Sequence, residues 1–383
     1  MSGSPLADIF VLDFSKFLPG PYCTWLLADL GAEVVRVEHP RELAKQAQVF
    51  GLDALSEDER RLRRARDVFA RNKKSVLLDP GDAGSRPLLE ALVRRADVLV
   101  EDYRPGVMDK MGLGFEAMAA LNPRLIYCSL TLCGQTGPYR DKPGHDPIAL
   151  SIAGVLSRCG EDPDAPSFPG VPAADMISGS NAVIGILTAM HVRQTTGKGQ
   201  RVDIAMSDSA MALLGNLISR NADLERLPPR GRRRADAGIW RCADGRFVCT
   251  TDMEPRYWAK FCEVLGRPDF IELQLQVDRW AEIRRELEAV FASRSSAEWL
   301  AAFDAAGTQS ALVYEPHEAL ADPHNQARGM APVYSGPSGE AVQHIGCPIK
   351  LSDTPAAFRH LARMPGEDEA EVGREAGLAG RSG

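Results

Sequence analysis

The side chains best suited to chemistry in this chain are the histidine of Gly144-His145-Asp146 and the carboxylates of Asp146, Asp175 and Glu254. Their spacing matches neither a metal-ligand motif nor a phosphate-binding loop. One histidine with several acids suits proton transfer or nucleophilic attack by a carboxylate, rather than hydride or phosphoryl transfer. The residue types alone leave these two chemistries open.

Each of these residues also has a purely structural interpretation. Asp175 precedes an apolar helical stretch and can cap that helix, and Glu254 precedes a proline at another helix start. Asp146 also precedes a proline, so a cap or a turn fits it equally well. A lone histidine after a glycine, as at His145, is typical of a turn. Assigning a function to these residues therefore depends on the elements that position them.

The first half of the chain alternates short β-rich runs with helical patterns. The runs at 9–14, 33–38, 97–103 and 125–130 predict strands, and the patterns at 22–30 and 87–96 predict helices. This alternation predicts a parallel sheet in a Rossmann-like α/β fold. No Gly-x-Gly-x-x-Gly follows the first strand, and the prolines of the expected turn Leu18-Pro19-Gly20-Pro21 lack backbone donors. A conventional nicotinamide site is therefore not expected.

The second half predicts a smaller α+β unit beyond a linker. A helix at 180–193 and a strand at 201–206 are followed by a polar segment that contains two prolines and several arginines. The expected elements beyond it are a strand at 246–251, helices at 257–265, 280–291 and 297–306, a strand near Leu312, and strands at 342–345 and 349–351. One large and one smaller domain suit a chain of 383 residues.

The composition is that of an ordinary globular protein. Hydrophobic residues make up 44% of the chain and charged residues 25%, and the formal net charge of -7 gives no general attraction to nucleic acid. The eight cysteines form no Cys-x-x-Cys pair, which favours free thiols in a reducing compartment. No signal segment opens the sequence and no apolar run is long enough to span a bilayer, so we expect a cytoplasmic protein without a membrane partner.

Short motifs along nearly the whole chain resemble those of the family III CoA-transferase superfamily, the CaiB/BaiF type. They lie at residues 12–14, 20–21, 27–32, 71–75, 103–106, 111–113, 134–138, 197–200 and 322–324. Any one of them, such as the Gly-Lys-Gly turn at 197–199, is weak evidence alone. Their shared order makes the resemblance specific.

The resemblance implies acyl-CoA thioester substrates and no cofactor beyond the CoA of the substrate. It also implies a homodimer of two interlocked chains, each with a large domain built from both ends of the sequence. On this basis we expect a Rossmann-like CoA-binding domain at 1–220 and 325–383, a linker at 221–235 and a small α+β domain at 236–324.

The superfamily contains two chemistries, and both use an aspartate at the position of Asp175. In the transferases this carboxylate attacks the acyl-CoA carbonyl and carries CoA as a thioester. In the α-methylacyl-CoA racemases it is one of two bases. The other base is a histidine at the position of His145, held by a glutamate at the position of Glu254. A CoA-binding protein without catalysis is a third hypothesis, which the intact Asp175 disfavours.

Further positions favour the racemase branch. Many transferases have a glutamine where this chain has Leu150, and the glycine-rich flap of formyl-CoA transferases is not visible. Two departures from the racemase pattern are Pro147-Ile148-Ala149 beside the histidine and the arginine-rich residues 232–236 in place of a Gly-Gly-x-Pro-Tyr segment. These arginines can bind an acidic acyl group or stay solvated.

The CoA phosphates require cations and backbone donors. The resemblance places Asn72, Lys73, Lys74, Arg104 and Lys110 at the family's CoA contacts, with a solvated basic face as the alternative. His39 stands where relatives often carry an arginine, and it is included among the expected CoA contacts.

Overall fold

The computed structural model describes residues 3–162, 164–227 and 234–377. Within these ranges the chain divides into two compact units: a larger one of residues 3–159, 166–227 and 327–377, and a smaller one of residues 160–162, 164–165 and 234–326. Most of the arginine-rich part of the expected linker, residues 228–233, lies outside the described residues. The domain boundaries drawn from the sequence stay a prediction.

The larger unit is built on a six-stranded parallel sheet with the order β3-β2-β1-β4-β5-β6. Its strands are β1 Phe10–Asp13, β2 Glu33–Glu38, β3 Lys73–Leu77, β4 Val98–Glu101, β5 Ile126–Thr131 and β6 Arg201–Ala205. In register, Val11 of β1 lies opposite Val34 of β2 and Val98 of β4. The predicted α/β class is confirmed, although β3 was not predicted because it begins with two lysines and lacks an apolar start.

Several helices extend beyond the bounds expected from the sequence. The helices in chain order are α1 Pro19–Asp29, α2 Pro40–Val49, α3 Glu57–Ala65, α4 Arg86–Arg95, α5 Val107–Lys110, α6 Phe115–Leu121, α7 Asp146–Ile152, α8 Ala173–Thr196, α9 Met206–Met211, α10 Gly215–Arg220, α11 Pro255–Val264, α12 Trp280–Phe291, α13 Ser296–Ala306, α14 Pro316–Ala321, α15 Pro323–Ala327 and α16 Glu369–Glu375. Pro19 and Pro21 belong to the first turn of α1 rather than to a turn before it, because a helix start needs no donor there.

Alternate residues of the strands pack against helices on opposite faces of the sheet. Val11 belongs to the core that contains α1 and α8, whereas Leu12 belongs to the core that contains α4. Helices α1 and α8 approach closely, since a Cβ at Gly179 would lie 2.7 Å from the carbonyl oxygen of Pro19. This contact brings the start of α8 beside the turn that follows β1.

Helix α8 also departs from one sequence expectation. It has 24 residues, and an 18-residue stretch within it has a mean hydropathy of 1.2, so it is long and apolar enough to cross a membrane by those two criteria. A core helix can meet the same criteria, and Ala182, Ile186 and Ala189 of α8 are buried in the core shared with α1.

The smaller unit has an antiparallel sheet of β7 Ala237–Arg241, β8 Phe247–Thr251 and β9 Ser310–Leu312, in that order. Its core is aromatic, with Trp240 stacked on Phe291 and Phe261 stacked on Phe303. In the larger unit, β10 Val333–Ser335 pairs with β11 Ala341–Gln343. The expected strand at 349–351 is wrong: these residues form no strand, and Pro348 removes a backbone donor just before them.

A buried ion pair connects the edge strand β3 of the large sheet with the inner strand β1. The Nζ of Lys73 in β3 lies 3.0 Å from the carboxylate of Asp13 in β1 and donates to Thr24 and to the carbonyl of Pro21. Burial alone raises the pKa of Asp13, but the charges of Lys73 and Arg36, with further hydrogen bonds, hold that pKa below its ordinary value. Each charge therefore depends on the other inside the core.

Replacing Lys73→Met should destabilise the protein, because Asp13 would stay buried without its counter-ion. We expect the free energy of unfolding to fall by about 3–5 kcal/mol, measured by urea denaturation. Lys45→Met on the exposed side of α2 is the matched control and should change little. A fall of less than about 1 kcal/mol for Lys73→Met would contradict this account.

Candidate active site

A cavity of about 570 Å³ lies at the carboxyl ends of the central strands of the larger unit. Its walls come from the turn after β1, from residues 102–105 after β4, from residues 130–132 at the end of β5 and from Met206 after β6. The loop at 140–145 and Asp175 complete it. Carboxyl ends of parallel strands are the usual place for ligands in such folds. This cavity is therefore the candidate site.

Asp175 lies half-buried in the first turn of α8, near the helix N-terminus. The helix begins at Ala173, and the residue before it, Pro172, makes no side-chain capping hydrogen bond. Instead, the buried carboxylate of Asp146 accepts the N–H groups of Ala174 at 2.6 Å and Asp175 at 3.1 Å. Asp146 is therefore the cap of α8, whereas the carboxylate of Asp175 is not used as a cap.

The surroundings of Asp175 change its acidity. Burial, and then the negative charge of Asp146, raise the pKa of Asp175 to about 6. A carboxyl with this pKa is mostly ionised at neutral pH and is better matched to accepting a proton than an ordinary aspartate. The backbone donors of Ala174 and Asp175 are already bound to Asp146. They are therefore not free to stabilise an enolate.

His145 lies at the start of α7, and its side chain lines the same cavity as Asp175. It makes no capping hydrogen bond, and its ring meets that of Phe17 edge-on at a centroid distance of 5.7 Å. Gly144 permits the tight turn, since a Cβ there would lie 2.8 Å from Ile148 and 2.9 Å from Leu132. The structure thus brings an available imidazole and an available carboxylate to one cavity.

Glu254 lies in the smaller unit, at the residue before α11. Its side chain is exposed and makes no capping hydrogen bond, so its carboxylate is not used by the helix that follows. The neighbouring carbonyl of Met253 accepts a hydrogen bond from Gln274 at 2.8 Å. The pairing of Glu254 with His145 stays a prediction.

Two of the expected CoA contacts are buried structural residues. Asn72, with φ of 61°, donates to Asp29 and Ala357 and accepts from the N–H groups of Arg359 and His360. Lys73 donates three hydrogen bonds within the core. These bonds use the full capacity of both polar groups. The structure therefore argues against direct CoA contacts by these two side chains.

The other expected CoA contacts are more accessible. Lys74 is surrounded by the carboxylates of Glu33, Glu371 and Glu375 at 2.8–3.1 Å. His39 accepts the N–H of Arg41 at the start of α2 and lies 3.4 Å from the carboxylate of Asp79. Lys110 is exposed at the end of α5, whereas Arg104 is exposed and lines the candidate cavity. Arg104 is thus the one member of the predicted set that lines this cavity.

The sequence interpretation missed three charged residues of the cavity, namely Asp102, Arg140 and Lys142. Asp102 directly follows the carboxyl end of β4, and Arg140 and Lys142 lie in the loop after β5. Their position beyond parallel strands is the signal that could have identified them.

The structure explains part of the arginine-rich stretch at residues 232–236, which departs from the racemase pattern. Arg234 forms a bidentate ion pair with the buried carboxylate of Asp236 at 2.5–2.6 Å. Arg232 and Arg233 lie outside the described residues. Arg234 is therefore engaged within its own unit. In the parts of the chain that the structure describes, no group of three His, Cys, Asp or Glu side chains is arranged to hold a metal ion.

Comparison with known proteins identifies the family. A model described as CoA-transferase family III matches residues 6–369. The chain belongs to this family. It is 34% identical to the human α-methylacyl-CoA racemase, covering 85% of this chain and 81% of the relative. It is 32% identical to an acyl-CoA transferase of Fusarium pseudograminearum, covering 98% and 86%.

A solved structure supports the same conclusion. The CAIB/BAIF family protein from Brucella suis superposes with a TM-score of 0.82 at 27% identity, covering 98% of this chain and 100% of that chain. The family resemblance and the α/β fold are thus confirmed. Because similar relatives include both racemases and transferases, the comparisons establish an enzyme of this family with one of these two activities.

Asp146→Asn should lower the pKa of Asp175, because the substitution keeps an acceptor oxygen for α8 but removes the negative charge. Carbodiimide modification of Asp175, which requires the protonated carboxyl, can be followed against pH by peptide mass spectrometry. We expect its midpoint to move below the value of about 6 that Asp175 has beside Asp146. Asp8→Asn at an exposed position is the control. An unchanged midpoint in Asp146→Asn would refute the electrostatic coupling.

Proposed function

We propose that this protein moves the α-proton of an acyl-CoA thioester, as an α-methylacyl-CoA racemase-like enzyme. The observation that carries the proposal is that His145 and Asp175 line one cavity, each with its side-chain polar atoms free of capping bonds. Racemases from human and mouse are 34% and 32% identical to this chain.

Racemisation requires two proton-transfer groups, because the proton must leave one face of the α-carbon and return to the other. In one direction, the carboxylate of Asp175 removes the α-proton, and the C–H electron pair moves into the thioester as an enolate. The imidazolium of His145 then donates a proton to the opposite face, and the carbonyl re-forms. The reverse direction exchanges the two roles. A carboxyl with a pKa of about 6 suits proton transfer near neutral pH.

The cations of the cavity suit the phosphates of CoA. Arg104, Arg140 and Lys142 lie in loops on the cavity wall and can balance the charge of the pyrophosphate. The role of Glu254 in orienting the imidazole of His145 is carried into this proposal from the family resemblance. No further cofactor is part of this proposal.

The second candidate function is CoA transfer. Three further relatives at 30% identity or slightly below are CoA-transferases named for succinyl-CoA or for succinate. Asp175 would then attack the thioester carbonyl, which forms a mixed anhydride and frees the CoA thiolate. The thiolate attacks the Asp175 carbonyl, so that the donor acid leaves as its carboxylate and CoA stays on Asp175 as a thioester for transfer to the acceptor acid. His145 has no required role in that chemistry, so the histidine distinguishes the two candidates. A binding protein without turnover is the remaining alternative.

Incubation with one enantiomer of a 2-methylacyl-CoA in D2O tests the proposal. We expect deuterium at the α-carbon and loss of stereochemical purity without an added acid acceptor, measured by mass spectrometry and chiral separation. His145→Ala should slow both at least about a hundredfold, because it removes one proton-transfer group. The control is His191→Ala, at an exposed position of α8.

Three outcomes would count against racemisation. Acceptor-dependent CoA exchange with a hydroxylamine-sensitive adduct on Asp175, and no deuterium uptake, would identify a transferase. Full activity of His145→Ala would contradict the two-base mechanism. Binding of acyl-CoA without any turnover would favour the non-catalytic alternative.

We also propose that the working form is a cytoplasmic homodimer. Apolar side chains on α8 stay exposed in the single chain: Ile184 at 62% and Val192 at 39%. Ile184→Asp should therefore shift the protein toward monomer in analytical ultracentrifugation, because it places a charge on this face. Gln194→Asp on the same helix is the polar control. A monomeric wild-type protein would overturn this proposal.

A further inference from the structure

Asp102 connects the end of β4 to the turn after β1. It follows the last residue of β4 and lines the candidate cavity. Its carboxylate accepts the N–H of Lys16 at 2.9 Å and the N–H of Phe17 at 2.8 Å. Two backbone donors on one carboxylate fix the direction of the turn that carries the Phe17 ring.

Phe17 transmits this constraint to His145. Its ring lies edge-on to the imidazole, with an interplanar angle of 74°. The side chain is 55% exposed, so packing holds it only in part. The hydrogen bonds to Asp102 therefore contribute strongly to its placement. Neighbouring Lys16 adds a second attachment through an ion pair with Glu42 at 2.6 Å.

The turn and the carboxylate stabilise each other. Burial raises the pKa of Asp102 to about 7, and the negative charges of Asp13 and Glu101 add to this effect. The N–H groups of Lys16 and Phe17 oppose it, since they favour the ionised carboxylate. The same two hydrogen bonds therefore favour the ionised form of Asp102 and hold the turn in place.

We propose that Asp102 is a positioning residue for His145, acting through its hydrogen bonds to the Lys16–Phe17 backbone and the edge contact of Phe17 with the imidazole. The geometric part of the proposal is that Asp102 maintains the contact between the Phe17 ring and the His145 imidazole. Its kinetic consequence depends on the proposed function, in which His145 transfers a proton.

NMR of selectively labelled histidine and phenylalanine tests the geometric part without any turnover. The chain has seven histidines, and the His145 signal can be assigned with a His145→Gln variant. Wild type should show an NOE between the imidazole of His145 and the ring of Phe17. Asp102→Ala should lose this NOE, whereas Asp102→Asn, which keeps an acceptor oxygen, should retain much of it.

Phe17→Ala provides an independent route to the same effect. It should shift the His145 signal as Asp102→Ala does, and the double variant should shift it little further, because both act through one contact. Asp8→Ala is the surface control. An unchanged His145 signal and NOE in a folded Asp102→Ala protein would overturn the proposal. If Asp102→Ala does not fold, Asp102→Asn decides: we expect a small shift of the His145 signal in the direction that Phe17→Ala gives, and a shift in another direction would overturn the proposal.

The kinetic part uses the D2O exchange assay. Asp102→Ala should lower kcat for α-exchange about ten- to a hundredfold through misplacement of the imidazole, with a much smaller change in the Kd for CoA. A change confined to the Kd would contradict a positioning role. Absence of α-exchange in the wild type would refute the proposed function. The NMR experiment would still test the contact between Phe17 and His145, because it requires no turnover.

Discussion

The carboxylate of Asp146 joins the two helices that carry the candidate bases. Asp146 is the first residue of α7, directly after His145, and it accepts the N–H groups at the start of α8, where Asp175 lies. A helix N-terminus attracts an anion through its unpaired donors and its dipole. This single contact therefore sets the separation between the histidine and the aspartate, and the sheet, the cavity and the loops are arranged around it.

The same contact adds to the effect of burial in raising the pKa of Asp175. A neutral cap such as serine would satisfy the helix donors equally well, but it would not place a negative charge beside Asp175. With an aspartate there, burial and like charge act in the same direction on the pKa of Asp175. Position and basicity are thus coupled, and one substitution at 146 changes both unless the acceptor oxygen is kept.

The sequence predicted the α/β class, most strands and the importance of Asp175, because these depend on local patterns and ordered motifs. It left the roles of Asp146, Asn72 and Lys73 open, because a capping carboxylate, a ligand contact and a buried hydrogen-bonding group have the same residue types. Only the fold separates them: Lys73 pairs with Asp13, which lies 60 positions away in the chain. Asp102 was missed for the same reason, since its partners Lys16 and Phe17 lie on another strand end.

The choice between the two chemistries depends on which carbon of the thioester faces Asp175. Attack on the carbonyl carbon needs one carboxylate and a separate acceptor, whereas removal of the α-proton needs a second group across the substrate. The imidazole of His145 is held beside Phe17 at the wall of the cavity and makes no hydrogen bond that caps α7. A histidine kept free in this way, next to a carboxyl with a raised pKa, has a clear use in proton return and none in the transfer of CoA. The role of His145 is therefore what separates the two proposed chemistries.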